Sequence, residues 1–338
     1  KDYKFLDKFI KKKFSELVKN FNRFHSINLS LKSSKIILFP WFVTVTYILF
    51  DRWEMINSIK NKKKYLFNTY NFNKSILIPN SFRDVKFLNK EFNQMILSLI
   101  LDYTNQKTKK KLIKIKEHPN YSLNKTKILD KILSKFFSLL SVFFKNQIIL
   151  SNIGVTFLQN IKVNLFLRQV PIILLEPEYE KKKIDIIKRK KFFFKLRKNK
   201  KNFEDFFNNI IHLLIPKSYL EDFHSINQSL DKSFWPKNCE KIVTAFDYKI
   251  RDVFKIWCAK MVSKKAKYII LQHGGNFGSS EYEIEEDMQK SVAHTFLSWG
   301  WKDKIYRNVK PFCAFHLNFI KKKKHAPNNS LLICIHFN

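Results

Sequence analysis

The order strand, helix, strand between residues 241 and 272 restricts the fold of this chain more than any other sequence feature. Residues 241–246 form an apolar run typical of a buried strand, and Asp247 stands where a helix N-cap is expected. The helix that follows would bury one stripe of side chains, namely Ile250, Val253, Phe254, Trp257 and Met261. Residues 268–272 predict a second strand and residues 295–299 a third. Because strand–helix–strand units pair their strands in parallel with a right-handed crossover, the sequence predicts a parallel α/β sheet.

Three of the five glycines in the chain lie within residues 272–278, immediately after the second predicted strand. Glycine allows backbone N–H groups to approach a ligand closely, and ligands of parallel sheets bind beyond the carboxyl ends of the strands. His273 stands at such an end, so this loop could both bind a ligand and react with it. The other interpretation of His273 is a structural histidine that is hydrogen-bonded at the end of a strand.

The charge of the chain allows a different interpretation of its function. The formal net charge is +36, and residues 181–201 hold twelve Lys or Arg and a single acid around three consecutive phenylalanines. Such a segment could lie on an anionic membrane or stack on single-stranded nucleic acid. However, the chain has 56 Lys and 8 Arg, whereas proteins that bind phosphates or read bases favour the arginine fork. We therefore expect a solvated basic surface and no specific nucleic acid, although an anionic membrane surface remains a candidate partner.

The cysteines and the apolar runs exclude other classes of protein. Four cysteines are present, at Cys239, Cys258, Cys313 and Cys334. They are too far apart for a CxxC metal or redox motif, so we expect no metal site and a reduced, cytoplasmic compartment. The longest apolar run, residues 36–50, contains Pro40 and is shorter than the roughly 20 residues of a membrane span. Residues 41–59 have helical spacing, which predicts a core helix, with a helix resting on a membrane as the alternative.

Five short motifs carry a resemblance to a known family. They are Pro40-Trp41 with Asp51-Arg52-Trp53, residues 216–221, Trp235-Pro236-Lys237, Gln272-His273-Gly274-Gly275 ending at Gly278, and Ser298-Trp299-Gly300-Trp301. With these motifs the chain resembles the surface-carbohydrate transferases of bacterial lipopolysaccharide and capsule loci, of the leptospiral O-antigen type. The last two motifs are fairly specific as a pair, and the similarity spans residues 36–305. The sequence departs from the family pattern at Asn276, where a third consecutive glycine is expected, and at His294, where an acid would be less surprising.

The resemblance implies a glycosyltransferase of the GT-B type, which consists of two Rossmann-like domains. In that arrangement the N-terminal domain holds the acceptor and the C-terminal domain holds a nucleotide-sugar. We therefore expect a basic, mainly helical lead-in at residues 1–34 and an acceptor-type α/β domain at 35–310, with helices on both faces of its sheet. A linker at 311–330 and the first strand of a truncated C-terminal domain at 331–338 would follow. Such a fragment would lack most of the nucleotide-binding site and be inactive as an enzyme, and an inactive scaffold is a further alternative. The implied partners are a nucleotide-sugar donor, without a further cofactor, and a saccharide or lipid-linked acceptor, in the cytoplasm or peripheral at the inner membrane.

The same resemblance suggests roles for the glycine loop. An acceptor hydroxyl must lose a proton as it attacks the anomeric carbon, and His273 is the candidate catalytic base. Alternatively, backbone N–H groups of the loop cradle a phosphate while His273 donates a hydrogen bond to it. The candidate substrate- or phosphate-binding residues are Gln272, Gly274, Gly275, Asn276, Gly278 and Glu281. Glu281 opens a run of five acids in seven residues, which could orient His273 or hold an acceptor, or could be a solvated helix start.

Overall fold

Short strands with alternating burial build the central sheet of the protein. A computed structural model describes residues 2–59, 62–84, 89–112, 132, 135–137, 147–191 and 202–315. The strands in this part of the chain are β1 (Phe67–Asn71), β2 (Thr108–Leu112), β3 (Ile148–Ser151), β4 (Lys241–Thr244), β5 (Lys267–Leu271), β6 (Thr295–Trp299) and β7 (Val309–Phe312). Strands β3 to β7 pair side by side in chain order, all in parallel, whereas β1 and β2 form a separate parallel pair.

Helices lie on both sides of these parallel sheets, which confirms the predicted Rossmann-like α/β class. In the described ranges they are α1 (Asp2–His25), α2 (Leu31–Ser58), α3 (Lys90–Tyr103), α4 (Phe157–Phe166), α5 (Ile186–Lys191), α6 (Phe203–Leu214), α7 (Phe223–Lys232), α8 (Asp247–Ile250), α9 (Asp252–Ser263) and α10 (Ile284–Val292). Single turns of 3₁₀ helix occur at Lys62–Lys64, Lys74–Leu77, Phe82–Asp84 and Lys217–Tyr219.

The two faces of the five-stranded sheet are buried to different extents. Along β3 to β6, every second residue is fully buried against the main core, as are Ile149, Ile242, Ile270 and Phe296. The intervening residues Leu150, Val243 and Leu297 are half-buried and join a small apolar cluster. The period of two along each strand is therefore visible in the burial as well as in the sequence.

The predicted strand–helix–strand unit is present, with β4 and β5 paired in parallel, but its helix needs two corrections. An extended backbone at Arg251 divides the helix into α8 and α9. Asp247 is the first helical residue and not the N-cap, a position that Phe246 occupies without a side-chain hydrogen bond. The predicted buried stripe is correct except for Ile250, which is 38% exposed.

The N-terminal helices belong to the same core as the sheet. Ser30 caps α2 by accepting a hydrogen bond from the backbone N–H of Ser33. The helix therefore begins before residue 34, where the sequence predicts the end of the lead-in. Trp41 is fully buried and donates its indole N–H to the carbonyl of Leu214 over 3.1 Å. Helix α2 is long and apolar enough to cross a membrane, but 67% of its apolar window is buried inside the protein.

The motif at residues 216–221 holds several elements together. The Tyr219 hydroxyl donates to the buried carboxylate of Asp252 over 2.7 Å. Glu221 accepts two hydrogen bonds of 2.6 Å from the guanidinium of Arg189, which is fully buried. This arginine of the basic stretch 181–201 is thus structural. Residues 192–201, with the three phenylalanines, lie outside the described residues, as do most of the predicted linker and the predicted strand at 331–338.

Candidate functional site

A cleft of about 100 Å³ lies at the edge of the sheet where strands β3, β4 and β5 end. It is lined by Ile153, Gly154, Ala245, Phe246, Leu271, Gln272, His273, Leu297, Cys313 and Phe315. This edge carries the carboxyl ends of the parallel strands, where ligands of such sheets bind. The described strands lie in chain order, so the cleft is formed by the loops that follow the strands and not by a reversal of strand order.

The His273 side chain lies in an aromatic environment at this edge. Its ring is 4.8 Å from that of Phe246, 5.9 Å from that of Tyr248 and 5.4 Å from that of Phe277, between centroids. Burial, and then the charge of Lys249, lower the pKa of His273 to about 4. Its Nδ1 atom is buried and has no hydrogen-bond partner within the described part of the chain. The imidazole is therefore neutral at pH 7, and its Nδ1 is an unsatisfied polar atom inside the protein beside the cleft.

The Gln272 side chain is buried and closes the base of the glycine loop. Its Nε2 donates to the carbonyl of Gly274 over 2.7 Å. Its Oε1 accepts from the backbone N–H of Trp299 over 2.7 Å and from the indole N–H of Trp301 over 2.8 Å. The backbone carbonyl of Gln272 accepts a further bond from the Trp299 indole. Gln272 was predicted to bind substrate, and in this structure it joins the loop to the end of β6.

The three loop glycines differ in their backbone conformation and in the space around them. Gly278 has a φ of +79°, and a Cβ there would lie 2.7 Å from the Trp301 ring, so only glycine fits. Its N–H donates to Glu286 over 2.6 Å, which removes it from a phosphate cradle. A Cβ on Gly274 would contact Phe277 at 3.7 Å, whereas one on Gly275 would meet no atom within 4 Å. Gly275 therefore offers the most open approach to the loop backbone.

The remaining predicted site residues, Asn276 and Glu281, and the rest of the acidic run do not line the cleft. Asn276 is exposed, and its carbonyl accepts bonds from the N–H and the hydroxyl of Ser279. Glu281 is exposed and does not line the cleft formed by the described residues. Glu283 caps α10, and Glu286 pairs with Lys290 over 2.7 Å. The acidic run thus forms the start of a helix, and a direct contact between Glu281 and His273 is not part of this geometry.

Sequence reasoning missed a buried acid beside the cleft. The carboxylate of Asp247 is fully buried and accepts bonds from Ser151 over 2.5 Å, Asn152 over 3.1 Å and Arg251 over 2.9 Å. Arg251 also pairs with Glu176 over 2.9 Å. This network links the ends of β3 and β4, so it fixes the spacing of two walls of the cleft. The signal in the sequence was Asp247 directly after a strand, which was interpreted as a helix cap.

The site residues are those of an organic ligand site more than of a metal centre. No group of three or more His, Cys, Asp or Glu within the described ranges is placed to hold a metal ion. The cleft combines apolar walls with a neutral imidazole, and Lys249 adjoins it with its ammonium paired to Glu285. Apolar walls with a few polar groups are typical of small-molecule sites.

Comparison with models of protein families identifies the family of this chain. A family model described as "LIC12162 family transferase" matches residues 1–337. The comparisons with curated proteins and with solved structures gave no significant match. The matched region includes the sheet, the cleft and the glycine loop, and its family is named for an enzymatic activity. This chain therefore belongs to the LIC12162 family of transferases.

Proposed function

We propose that this transferase is a glycosyltransferase that moves a sugar, or a related group, from a nucleotide-sugar to a growing surface polysaccharide or its lipid-linked precursor. The observation that carries the proposal is His273, a half-buried and neutral histidine with a buried, unpaired Nδ1 among the described residues, at the carboxyl edge of a parallel sheet. The family match supports transfer chemistry. The resemblance of the Gln-His-Gly-Gly loop to surface-carbohydrate transferases supplies the substrate class.

The proposed reaction assigns two alternative tasks to His273. As a base, it takes the proton of the acceptor hydroxyl while the acceptor oxygen bonds to the anomeric carbon. The bond from that carbon to the phosphate oxygen breaks, and its electron pair leaves with the nucleoside diphosphate. As a phosphate ligand, His273 instead donates a hydrogen bond to the departing diphosphate.

The environment of His273 affects the two tasks differently. A pKa of about 4 makes the free imidazole a weak base at pH 7. A diphosphate bound nearby would raise this pKa, because an anion stabilises the protonated ring. The ammonium of Lys249 adjoins the same site and is paired with Glu285, so a bound diphosphate would compete with that carboxylate for it. The geometry therefore supports an imidazole whose pKa rises when the nucleotide-sugar binds. The ring would then take up the acceptor's proton more readily or, once protonated, donate a hydrogen bond to the diphosphate.

The location of the reaction follows from its substrates. Nucleotide-sugars are soluble anions, whereas a lipid-linked acceptor lies in a membrane. We propose that the protein acts in the cytoplasm or peripherally at the inner membrane, with no cofactor beyond the nucleotide-sugar. The predicted GT-B arrangement, with a second domain that binds the nucleotide, belongs to this proposal as well.

The experiment is a comparison of two histidine variants in the longest natural product of the gene. His273→Asn removes the imidazole at the cleft. His294→Asn is the matched control, because the Nδ1 of His294 accepts from the Tyr268 N–H over 3.0 Å at the opposite end of β5, and an Asn oxygen can replace it. Release of nucleoside diphosphate from a panel of nucleotide-sugars is measured, and folding is checked by circular dichroism.

We expect His273→Asn to lower the turnover at least 100-fold, the range assigned to a general acid or base, and His294→Asn to retain it. Equal turnover by wild type and His273→Asn would refute the role of His273. Failure of every nucleotide-sugar to stabilise the wild type in a thermal melt would count against the substrate class itself.

A further inference from the structure

Helix α4 presents its apolar residues to solvent. Phe166 is 87% exposed, Leu158 69%, Leu165 64% and Phe157 50%. At 100° per residue, Phe157, Leu158 and Leu165 share an arc of about 100°, and Phe166 extends it to about half of the helix. We call these four side chains the α4 apolar face. Large apolar residues that lie together on a surface are uncommon unless a partner covers them.

The one side chain of α4 that is buried is polar, whereas the large apolar residues of this helix lie at the surface. Asn164 is buried and donates to the carbonyl of Asn160 over 2.8 Å. Gln169 donates to Asn164 over 2.8 Å and to the carbonyl of Ile148 over 2.6 Å, and it accepts from the Ile148 N–H over 3.0 Å. These amides attach α4 to the edge strand β3. The C-terminal end of the helix is therefore held to β3 by hydrogen bonds, and its exposed apolar residues are left for another surface.

The charge around α4 selects the kind of surface. Among the described residues of this part of the chain, 147–175 contain no acid and two basic residues, Lys162 and Arg168, both exposed. Lys162 is exposed and projects from the same half of the helix as the apolar face. An apolar helix face with basic residues and without acids complements the interface of an anionic bilayer. An apolar groove of about 350 Å³, lined in part by Ile161 and Leu165, adjoins the face.

The face is close to the cleft along the chain. Gly154 lines the cleft, and Thr156 caps α4 through a capping box with Gln159. The loop that forms one wall of the cleft thus continues directly into the exposed helix. A bilayer against α4 would place the mouth of the cleft near the lipid headgroups, where a lipid-linked acceptor presents its reacting group.

We propose that the α4 apolar face docks this protein on an anionic phospholipid bilayer. The docking deepens the function proposed above, since it names the route by which the acceptor reaches the cleft, and it rests on that function only for the identity of the acceptor. It assigns the membrane contact to α4 and not to the phenylalanines of the basic stretch 181–201.

The test is vesicle flotation of the full chain with two matched double variants. Leu158→Glu/Phe166→Glu changes the apolar face. Leu66→Glu/Ile305→Glu makes the same change of charge at residues that are 64% and 84% exposed elsewhere. Vesicles of phosphatidylcholine alone and with phosphatidylglycerol are compared, and His273→Asn is included. Urea midpoints and sedimentation of the wild type and of all variants are measured in parallel.

We expect the wild type, the control double variant and His273→Asn to bind the anionic vesicles, and the α4 double variant to bind at least tenfold more weakly with an unchanged urea midpoint. Equal binding to both kinds of vesicle, or an α4 variant that binds like the wild type, would overturn the proposal. A lowered midpoint would mean that the chain covers its own helix, and self-association abolished only by the α4 variant would assign the face to a second copy. Because flotation needs no turnover, docking and the catalytic proposal fail independently.

Discussion

Replacing Gln272 by Met should destabilise the protein far more than the same replacement at Gln289. Both glutamines are buried, at 4% and 0% exposure. Methionine has nearly the same length and shape, so the substitution removes hydrogen bonds with little change in packing. The difference between the two variants therefore isolates the bonds that each amide makes.

The structure sets the expected size of this difference. Gln272 makes three side-chain bonds, to Gly274, Trp299 and Trp301, each 2.7 to 2.8 Å long. A buried hydrogen bond contributes about 1 kcal/mol net, so Gln272→Met should lower the free energy of unfolding by about 3 kcal/mol. Gln289 donates one bond of 2.9 Å to Tyr248, and its Oε1 has no partner among the described residues. Gln289→Met should therefore cost at most about 1 kcal/mol, because methionine also removes an unsatisfied oxygen.

Urea denaturation followed by tryptophan fluorescence measures both values. With a slope near 3 kcal/mol per molar urea, the upper range for single domains, the midpoint of Gln272→Met should fall by about 1 M. The signal is informative at the site, because Trp299 and Trp301 are bonded to Gln272. Equal midpoints for the two variants would refute the assignment of Gln272 as the residue that holds the loop to β6.

Two further predictions concern the loop and the buried histidines. Gly278→Ala should lower the free energy of unfolding by at least about 2 kcal/mol, because the backbone there is left-handed and the new Cβ would lie 2.7 Å from Trp301. Gly275→Ala should lower it by less than about 1 kcal/mol, because no atom lies within 4 Å of a Cβ at that position. Similar urea midpoints for the two variants would contradict this. Burial lowers the pKa of His25 to about 3 and that of His273 to about 4. The unfolded chain therefore binds more protons below pH 6.5, so these two histidines together should lower the free energy of unfolding by about 4 kcal/mol between pH 7 and pH 5. Urea midpoints that do not change over this range would disprove it.

The sequence predicted those parts of the fold that depend on local periodicity. The strands at residues 241–246, 268–272 and 295–299 were recognised because their side chains alternate or are continuously apolar. The helix predicted at 41–59 covers the last 18 of the 28 residues of α2. The first ten residues are not predicted as part of it, because Lys32, Ser33, Ser34 and Lys35 lower their apolar character. Ser33 and Ser34 are nevertheless buried in the core. Local composition could not reveal this, because their burial depends on contacts with distant helices.

The position of the candidate site in the fold could be predicted from the sequence, whereas most of its contacts could not. The glycine loop and His273 stand at the predicted sheet edge, since strand ends can be located from the sequence. The partners of Gln272 and Asp247 could not be predicted, because Trp301 and Ser151 are far away in the chain. Gly278 was expected to offer its N–H to a phosphate, but its partner Glu286 is defined only by the fold. Whether the predicted residues bind a substrate stays a prediction.

The bonds of Gln272 have a consequence for how quickly and how selectively a ligand could be captured. A loop already held by its own side chains loses little conformational entropy when a ligand arrives, so binding does not wait for the loop to become ordered. The association rate would then be set by diffusion and charge, which the high positive charge of the protein accelerates for anions. The same rigidity prevents the loop from adapting to ligands of another shape, so selectivity between ligands would depend on the shape that the loop has before binding.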